Sequence, residues 1–436
     1  MKYFLNQISR EWKFLLAQKY IVVLLLCTLV ISGFAVFSGL QEVKQQNTTI
    51  ERLIEADRLD REQAQAKHAN VGSLAYYSFH LTYEPPSDLA FAALGERDVY
   101  PWKHRIKMLA LEGQIYESDA QNAELAKSGK IDFVFVVSAL SPLLIILLFH
   151  DLFAHERSNG RFDLLVTTAR STFSLWGIRS LVRFLSVLLC LMIPFWIGAW
   201  YSGVGVDISL VVTSLCIVYL AFWMALSLWL GNKGSNAPSI ASRLIGFWVV
   251  VAFIIPILGD LAIKHQVESP KGGDIVLTQR EAVNDAWDIP KRVTMRAFVA
   301  THPQWKEHVA VERMFEWKWY YAFQQVGDQK AGRLSRAYQD AAQTKYDYAG
   351  YVSWLSPPLL LQRKLTRLAN TDAIAAFNYE KGIRQFHSEL RAFYYPWLFT
   401  SEKFTKQALV DLPVFQPVSQ RAPKKSSQLI ENKVTK

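Results

Sequence analysis

Six residues on one short polar stretch have types and spacing suited to gripping another protein. They are Glu156, Arg157, Gly160, Arg161, Leu164 and Leu165, in the run His155-Glu156-Arg157-Ser158-Asn159-Gly160-Arg161-Phe162-Asp163-Leu164-Leu165. Glu156 and Arg157 offer charges for pairing across a surface. Gly160 permits a sharp change of direction. The Leu164-Leu165 pair opens an interfacial helix. An ordinary basic loop that fixes membrane orientation accounts for the same residues equally well. Neither reading involves making or breaking bonds.

Bond-making chemistry has little support elsewhere. The nine histidines are scattered, and His302 and His308 stand six apart, on different faces of a helix, unlike the pair in H-E-x-x-H. There is no G-x-S-x-G. Gly231-Asn232-Lys233-Gly234-Ser235 lacks the G-x-x-x-x-G-K-[ST] spacing of a phosphate loop and joins two apolar runs, so the chain has no visible means of hydrolysing ATP itself. No catalytic, metal-binding or cofactor-binding residue is assigned.

The loop is positioned by apolar runs on either side of it. Five runs are long enough to cross a bilayer, which takes about 20 helical residues: Tyr20–Leu40, Phe133–Phe149, Phe184–Tyr201, Ile208–Leu230 and Leu244–Ile263. Backbone groups in lipid must be satisfied internally, so each run is a helix. The first exceeds a signal-peptide h-region and is followed by no clear cleavage site, so it stays as an anchor. Cys27, Cys190 and Cys216 all fall within these runs, which leaves the large charged segments without disulfides. Asp132, His150, Asp151, Arg179, Arg183, Arg243 and Asp260 sit near run ends, as interface anchors and orientation signals rather than an intramembrane site.

The short connections set orientation. Lys2, Arg10, Lys13 and Lys19 precede the first run. Arg157, Arg161, Arg170, Arg179 and Arg183 follow the second, and Lys233 and Arg243 follow the fourth. The Tyr201–Asp207 turn has no basic residue. This places the N-terminus in the cytoplasm and segments 42–131 and 264–436 outside. The net charge of +10 in 436 residues is dispersed and matches no nucleic-acid-binding signature, which argues against nucleic acid as a partner.

The fold expected is an all-α polytopic membrane protein: five transmembrane helices with two mostly helical extracytoplasmic segments. Residues 1–19 form a cytoplasmic amphipathic interfacial helix, with Phe4, Leu5, Ile8, Trp12, Leu15 and Leu16 in one sector. Transmembrane helix 1 covers 20–41, an extracytoplasmic helical domain 42–131, and transmembrane helix 2 132–153. The cytoplasmic loop occupies 154–178, transmembrane helices 3–5 occupy 179–265, an extracytoplasmic C-terminal helical domain 266–418, and a disordered basic tail 419–436. Helix 1 should continue outward to about His68 on a stripe of Ile50, Leu53, Ile54 and Leu59, and Pro85-Pro86 should break the helical pattern. A second helix is expected around Trp102–Leu125. In the C-terminal domain, Trp305, Val309, Phe315, Trp319 and Phe323 suit a helix, Gly327-Asp328 reads as a turn, and a further helix runs to about Tyr351. Asn370-Thr371-Asp372 reads as an N-cap for a helix carrying Ile374, Tyr379, Ile383, Phe386, Leu390 and Phe393. Two interrupted aromatic stretches, Trp354–Leu361 and Phe393–Phe399, either dock at the outer membrane interface or build the domain core.

The chain resembles the permease subunits of type-2 ABC transporters. These often carry Glu-x-x-x-Gly-x-x-x-Leu-Leu between spans two and three, matched by Glu156, Gly160, Leu164 and Leu165. It looks most like a bacterial subfamily with long extracytoplasmic segments and no settled substrate. That likeness rests on Ala300-Thr301-His302-Pro303-Gln304-Trp305, Trp354-Leu355-Ser356-Pro357-Pro358, Leu368-Ala369-Asn370-Thr371-Asp372 and Phe393-Tyr394-Tyr395-Pro396. Arg161-Phe162-Asp163 replaces the small residue that often follows the loop glycine. A sixth span is common in these permeases, whereas residues 264–436 offer nothing longer than the proline-broken run Val352–Leu361. The chain therefore stops at five spans or its outer domain touches the membrane.

The resemblance implies a non-catalytic subunit in the bacterial inner membrane that binds no cofactor itself. Its partners would be an ABC ATPase subunit, where ATP is hydrolysed, a second permease subunit (identical or a sister) and membrane lipids. The cargo implied is a lipid, peptide or other amphiphile leaving the cell. The rival reading is a membrane-anchored extracytoplasmic module for assembly, sensing or partner binding.

Overall fold

A computed structural model describes residues 2–117, 131–168, 171–233, 236–400 and 403–420. Arg170, the Gly234-Ser235 pair, the far part of the helix expected at Trp102–Leu125 and the tail beyond Gln420 lie outside the described residues. The architecture is helical as expected, with one small two-stranded sheet among the described residues. Five helices are long and apolar enough to cross a membrane: Lys19–Lys67, Phe133–Ser158, Leu175–Ser202, Val206–Lys233 and Ala237–Gln266. We refer to them as the first to fifth spans.

The first span is one unbroken helix of 49 residues, about 73 Å long at 1.5 Å per residue. It therefore projects well past any bilayer into the two large charged segments, as its sequence suggested. Ile50 of the expected stripe is buried, whereas Ile54 and Leu59 are exposed. Much of the grip of this extension is polar. Asp57 accepts the Leu81 N–H at 3.0 Å and pairs with Arg61, while the Gln46 amide oxygen accepts two bonds from Arg97, at 3.0 and 2.8 Å.

The two large segments share one hydrophobic core. Val71, Ile106, Leu111 and Ile115 of the first pack with Phe298, Phe323, Ile383, Phe386 and Leu390 of the second. We call this joint body the head. Three local expectations change there. Lys103–Ile106 is a strand, not helix, because it pairs antiparallel with His80–Tyr83, and the following helix is only Leu111–Tyr116. Trp305 lies in a 3-10 turn and residues 309–315 are non-helical, since the Glu316 carboxylate captures the N–H groups of Glu312 and Arg313 just before helix Trp317–Leu355 begins. Gly327-Asp328 is not a turn but lies inside that helix. Gly327 admits a neighbouring helix so closely that a Cβ would stand 2.8 Å from Val283 Cγ2. Asp328 caps Leu111–Tyr116 by accepting the Leu111 and Glu112 N–H groups at 2.7 and 3.1 Å, and pairs with Arg391 at 2.6 Å. The N-cap reading of Asp372 holds: its carboxylate accepts the Ala375 N–H, and Tyr379, Ile383, Phe386 and Leu390 of helix Ala373–Phe399 are buried.

The aromatic-proline stretches part company. Tyr394, Tyr395 and Phe399 are head core. Trp354–Leu361 instead turns back toward the spans: helix Trp317–Leu355 ends against the fifth span, and helix Pro357–Leu368 places Leu361 and Leu365 in the core of the span bundle. Beside it, the run Leu89–Leu94 sinks Phe91 between the first and third spans, where a Cβ on Gly39 or Gly198 would collide with it. Asp132 latches this run by accepting the Leu94 N–H at 3.0 Å while capping its own helix at Phe135. Thr371, just past helix Pro357–Leu368, ties the run to that end of the chain by donating to the Ala93 carbonyl at 2.8 Å.

Two spans contain a π turn, and each lies just before a proline. In Val136–Leu140 the Ser141 N–H reaches back to Val136, and Pro142 follows; in Val250–Ile254 the Ile255 N–H reaches Val250, and Pro256 follows. Proline has no N–H to offer the next carbonyl. Hydroxyls take its place: Ser141 donates to Val137 O, Tyr219 to Ser138 O at 2.5 Å and Ser356 to Val251 O at 2.6 Å.

The head also buries neutral imidazoles. Burial pushes His80 down to about 3 and His104 to about 4, and burial beside Arg391 holds His387 well below the usual range. A folded-state value below the unfolded one gives stability that is complete above about pH 6.5 and lost as pH falls. Each such histidine should cost about 1.4 kcal/mol per pH unit below that point, down to its own folded value. In thermal melts of the full chain, His387→Gln should therefore lose less stability between about pH 6.5 and 4 than the parent chain; an equal loss would contradict the buried neutral imidazole.

Candidate coupling site

The end of the bundle away from the head carries the loop residues. Its centre is Arg179, at the start of the third span and mostly buried. Its guanidinium donates to Glu11 of the N-terminal helix Lys2–Ala17 at 3.0 Å and to Glu156 at 3.3 Å, and it lies over the rings of Phe14 and Trp176. Both carboxylates are buried. Glu11 is buried along with Leu15, facing Arg179. The neighbouring Arg183 donates to Leu148 O and stands 3.7 Å from Asp151, covering a carbonyl of the second span. Arg179 and Arg183 thus hold specific partners within the bundle, beyond any role in orientation.

Glu156 is committed inside the chain. Besides Arg179 it pairs with Arg161 at 3.2 Å. An ion pair between Glu156 and another subunit would have to compete with both arginines. Arg157 donates to Asn232 O at the end of the fourth span at 2.9 Å, and its guanidinium lies 4.6 Å from the centroid of the Phe162 ring. Phe162 in turn stacks on Trp176. These contacts clamp the loop against the third and fourth spans.

Gly160 makes the turn that the sequence suggested, and the reason is visible. Its φ is +65°, a region costly for other residues. The Arg161 N–H reaches Glu156 O and the Gly160 N–H reaches Arg157 O, both at 3.0 Å. This crossed pair is a Schellman ending of the short helix Ala154–Ser158. The chain then leaves at a fixed angle as helix Phe162–Thr168, which buries none of its residues. Leu164 is 64% exposed and Leu165 half-buried. The arrangement is an arm set by a Schellman turn, with an exposed apolar tip at Leu164. Sequence reading found Glu156, Gly160 and Leu164 but missed the Glu11–Arg179 bridge, since nothing in either residue's own neighbourhood marks a partner 168 positions away.

Gly160→Val should cost about 1–2 kcal/mol through its left-handed backbone, although no atom lies within 4 Å of the new Cβ. Gly160→Asn should cost less. Arg179→Ala strips two buried carboxylates of their partner and should cost about 3–5 kcal/mol. Unfolding titrations in detergent rank the three; equal costs for Val and Asn would refute the backbone argument.

Comparison with known proteins locates a likeness in the head. Residues 275–418 match a family described as "Domain of unknown function (DUF3526)". No curated protein and no solved structure matches the chain.

Proposed function

We propose that the chain is the non-catalytic permease subunit of an ABC-type exporter, with ATP bound and hydrolysed on a separate ATPase subunit. The observation that carries this reading is the arm Phe162–Thr168, set by the turn at Gly160 and joined through Glu156 and Arg179 to the third span and the N-terminal helix. Closure of a partner can move a membrane helix only through something that does not yield. A push on Leu164 meets such a path. In this reading the arm faces the cytoplasm, the head lies outside the bacterial inner membrane, and a second permease copy or sister completes the transport path. The arginines at the arm's end agree with the positive-inside rule.

A second reading, a membrane-anchored head that binds a ligand or partner, has its own support. A cavity of about 420 Å³ opens in the head, lined by His302, Trp305, Gln325, Arg391 and Tyr395 among others. It draws together two of the motif stretches on which the family resemblance rests.

The readings differ in what the arm does. Leu164→Asp should leave folding unchanged, because the side chain is exposed. In a reconstituted complex with the copurifying ATPase it should lower transport-linked ATP hydrolysis at least about tenfold, equivalent to about 1.4 kcal/mol of lost coupling. Unchanged hydrolysis, or the absence of any copurifying ATPase, would favour the head module. Orientation is checked separately in a chain lacking Cys27, Cys190 and Cys216. An impermeant maleimide added outside intact cells should label Val99→Cys and Met314→Cys but not Leu164→Cys; the reverse pattern would overturn the orientation.

A further inference from the structure

The chain leaves the head along the fifth span and turns at Ser356. A Cβ on Gly259 would stand 2.6 Å from Val352 Cγ1, and the Ser356 hydroxyl reaches Val251 O at 2.6 Å. Val251 is close to the middle of the 30-residue helix Ala237–Gln266, about 21 Å from either end at 1.5 Å per residue. The turn therefore lies at mid-height of the bundle, far deeper than an interface.

The turn is chemically suited to lie without water. A helix start usually exposes N–H groups that need partners. Here the first two helical residues are Pro357 and Pro358, which have none, the Leu359 N–H goes to Ser356 Oγ and the Leu360 N–H to Ser356 O. No Asp, Glu, Lys or Arg occurs from Tyr348 to Gln362. The charges resume together: Arg363 donates to Tyr346 O and stacks on the Tyr346 ring, whose hydroxyl donates to Asp372. Tyr346 is ten residues above the turn, about 15 Å along a helix, which is half the thickness of a bilayer core. One face of the hairpin, with Leu361 and Leu365, is packed into the bundle. The other presents Tyr351, Trp354 and Leu355, each more than two-thirds exposed, beside the exposed Ile257, Leu258 and Leu261 of the fifth span.

We propose that residues 346–368 form a re-entrant helical hairpin sunk to the bilayer midplane, with Tyr351, Trp354 and Leu355 covered by lipid acyl chains. The inference needs only that the fifth span crosses a bilayer, and it stands whether or not the chain serves an ABC transporter. Acyl chains are the occupant because this apolar face is continuous with that of the fifth span at the same depth.

The test uses the full chain, free of native cysteines, in phosphatidylcholine–phosphatidylglycerol vesicles. Spin labels are placed at Trp354→Cys, at Val218→Cys on the fourth span and at Met314→Cys on the head, and collisions with oxygen and with water-soluble nickel chelate are measured. Leu355→Cys serves as a second hairpin position should the 354 variant not insert. The hairpin label should match position 218: open to oxygen, with nickel access several-fold below that at 314. Nickel access at 354 equal to that at 314, with 218 shielded, would overturn the hairpin and leave the spans intact. Shielding from both reagents at 354 would mean that protein, such as a second copy, covers the face, and would overturn the lipid assignment. Nickel access at both 218 and 354 would overturn the spanning reading and the hairpin with it.

Discussion

A carbonyl in an apolar medium must find a donor, and proline removes the donor that a helix would normally supply. This constraint organises the molecule. Pro142 and Pro256 shift their helices into π turns and leave carbonyls that their own segments do not satisfy by backbone alone. For Val251 and Ser138 the donors come from other elements, Ser356 and Tyr219. The buried Ser32 hydroxyl of the first span adds a bond to Leu191 O of the third, beside the Cys190 carbonyl that Pro194 leaves without its helical donor. Each is a modest bond between elements that hydrophobic packing alone would leave free to slide. Lipid offers little hydrophobic preference between helices, so such contacts carry a large share of the specificity.

The two ends of the bundle follow the same logic with different groups. At the head, Asp132, Thr371 and Ser87 hold the Leu89–Leu94 run and the hairpin exit to one another and to the second span. At the other end, Arg183 covers a carbonyl of the second span and Arg157 one where the fourth span finishes, and Arg179 joins the N-terminal helix to the loop. The head is thus fastened to the spans by its own backbone, hydroxyls and the Asp132 carboxylate, while the far end is fastened by arginine and holds helix Phe162–Thr168 through Phe162, with none of its residues buried. Phe162 of that helix stacks on Trp176 of the third span, and further along the same span Phe195 stacks with Phe91 under the head.

Much of this was legible in the sequence, and the omissions share a cause. The five spans, the unbroken first helix to residue 67, the Asp372 cap and the Gly160 turn follow from apolar length, the lack of breakers and local chemistry. Gly327-Asp328 was misread because its dipeptide chemistry suits a turn, whereas both residues serve distant partners: Gly327 admits Val283, and Asp328 holds Leu111 and Arg391. The strand Lys103–Ile106 depends on His80–Tyr83 for its pairing. At the candidate site, Glu156 and Leu164 were visible on their loop, but the internal partners of Glu156 were not. The errors come from contacts between residues 23 to 217 positions apart, which leave no periodic trace.

The central claim is that the Ser356 hydroxyl replaces the N–H that Pro256 lacks, and a double-mutant cycle tests it most directly. Ser356→Ala should cost about 0.6–2 kcal/mol in the parent chain beyond the loss of its cap on Leu359. Pro256→Ala restores an N–H to the fifth span. In that background Ser356→Ala should cost only the cap, which is lost in both arms and cancels. Unfolding free energies of the four proteins in one detergent give the coupling. A coupling of at least about 0.6 kcal/mol is the predicted result; equal costs of Ser356→Ala in both backgrounds would contradict the account.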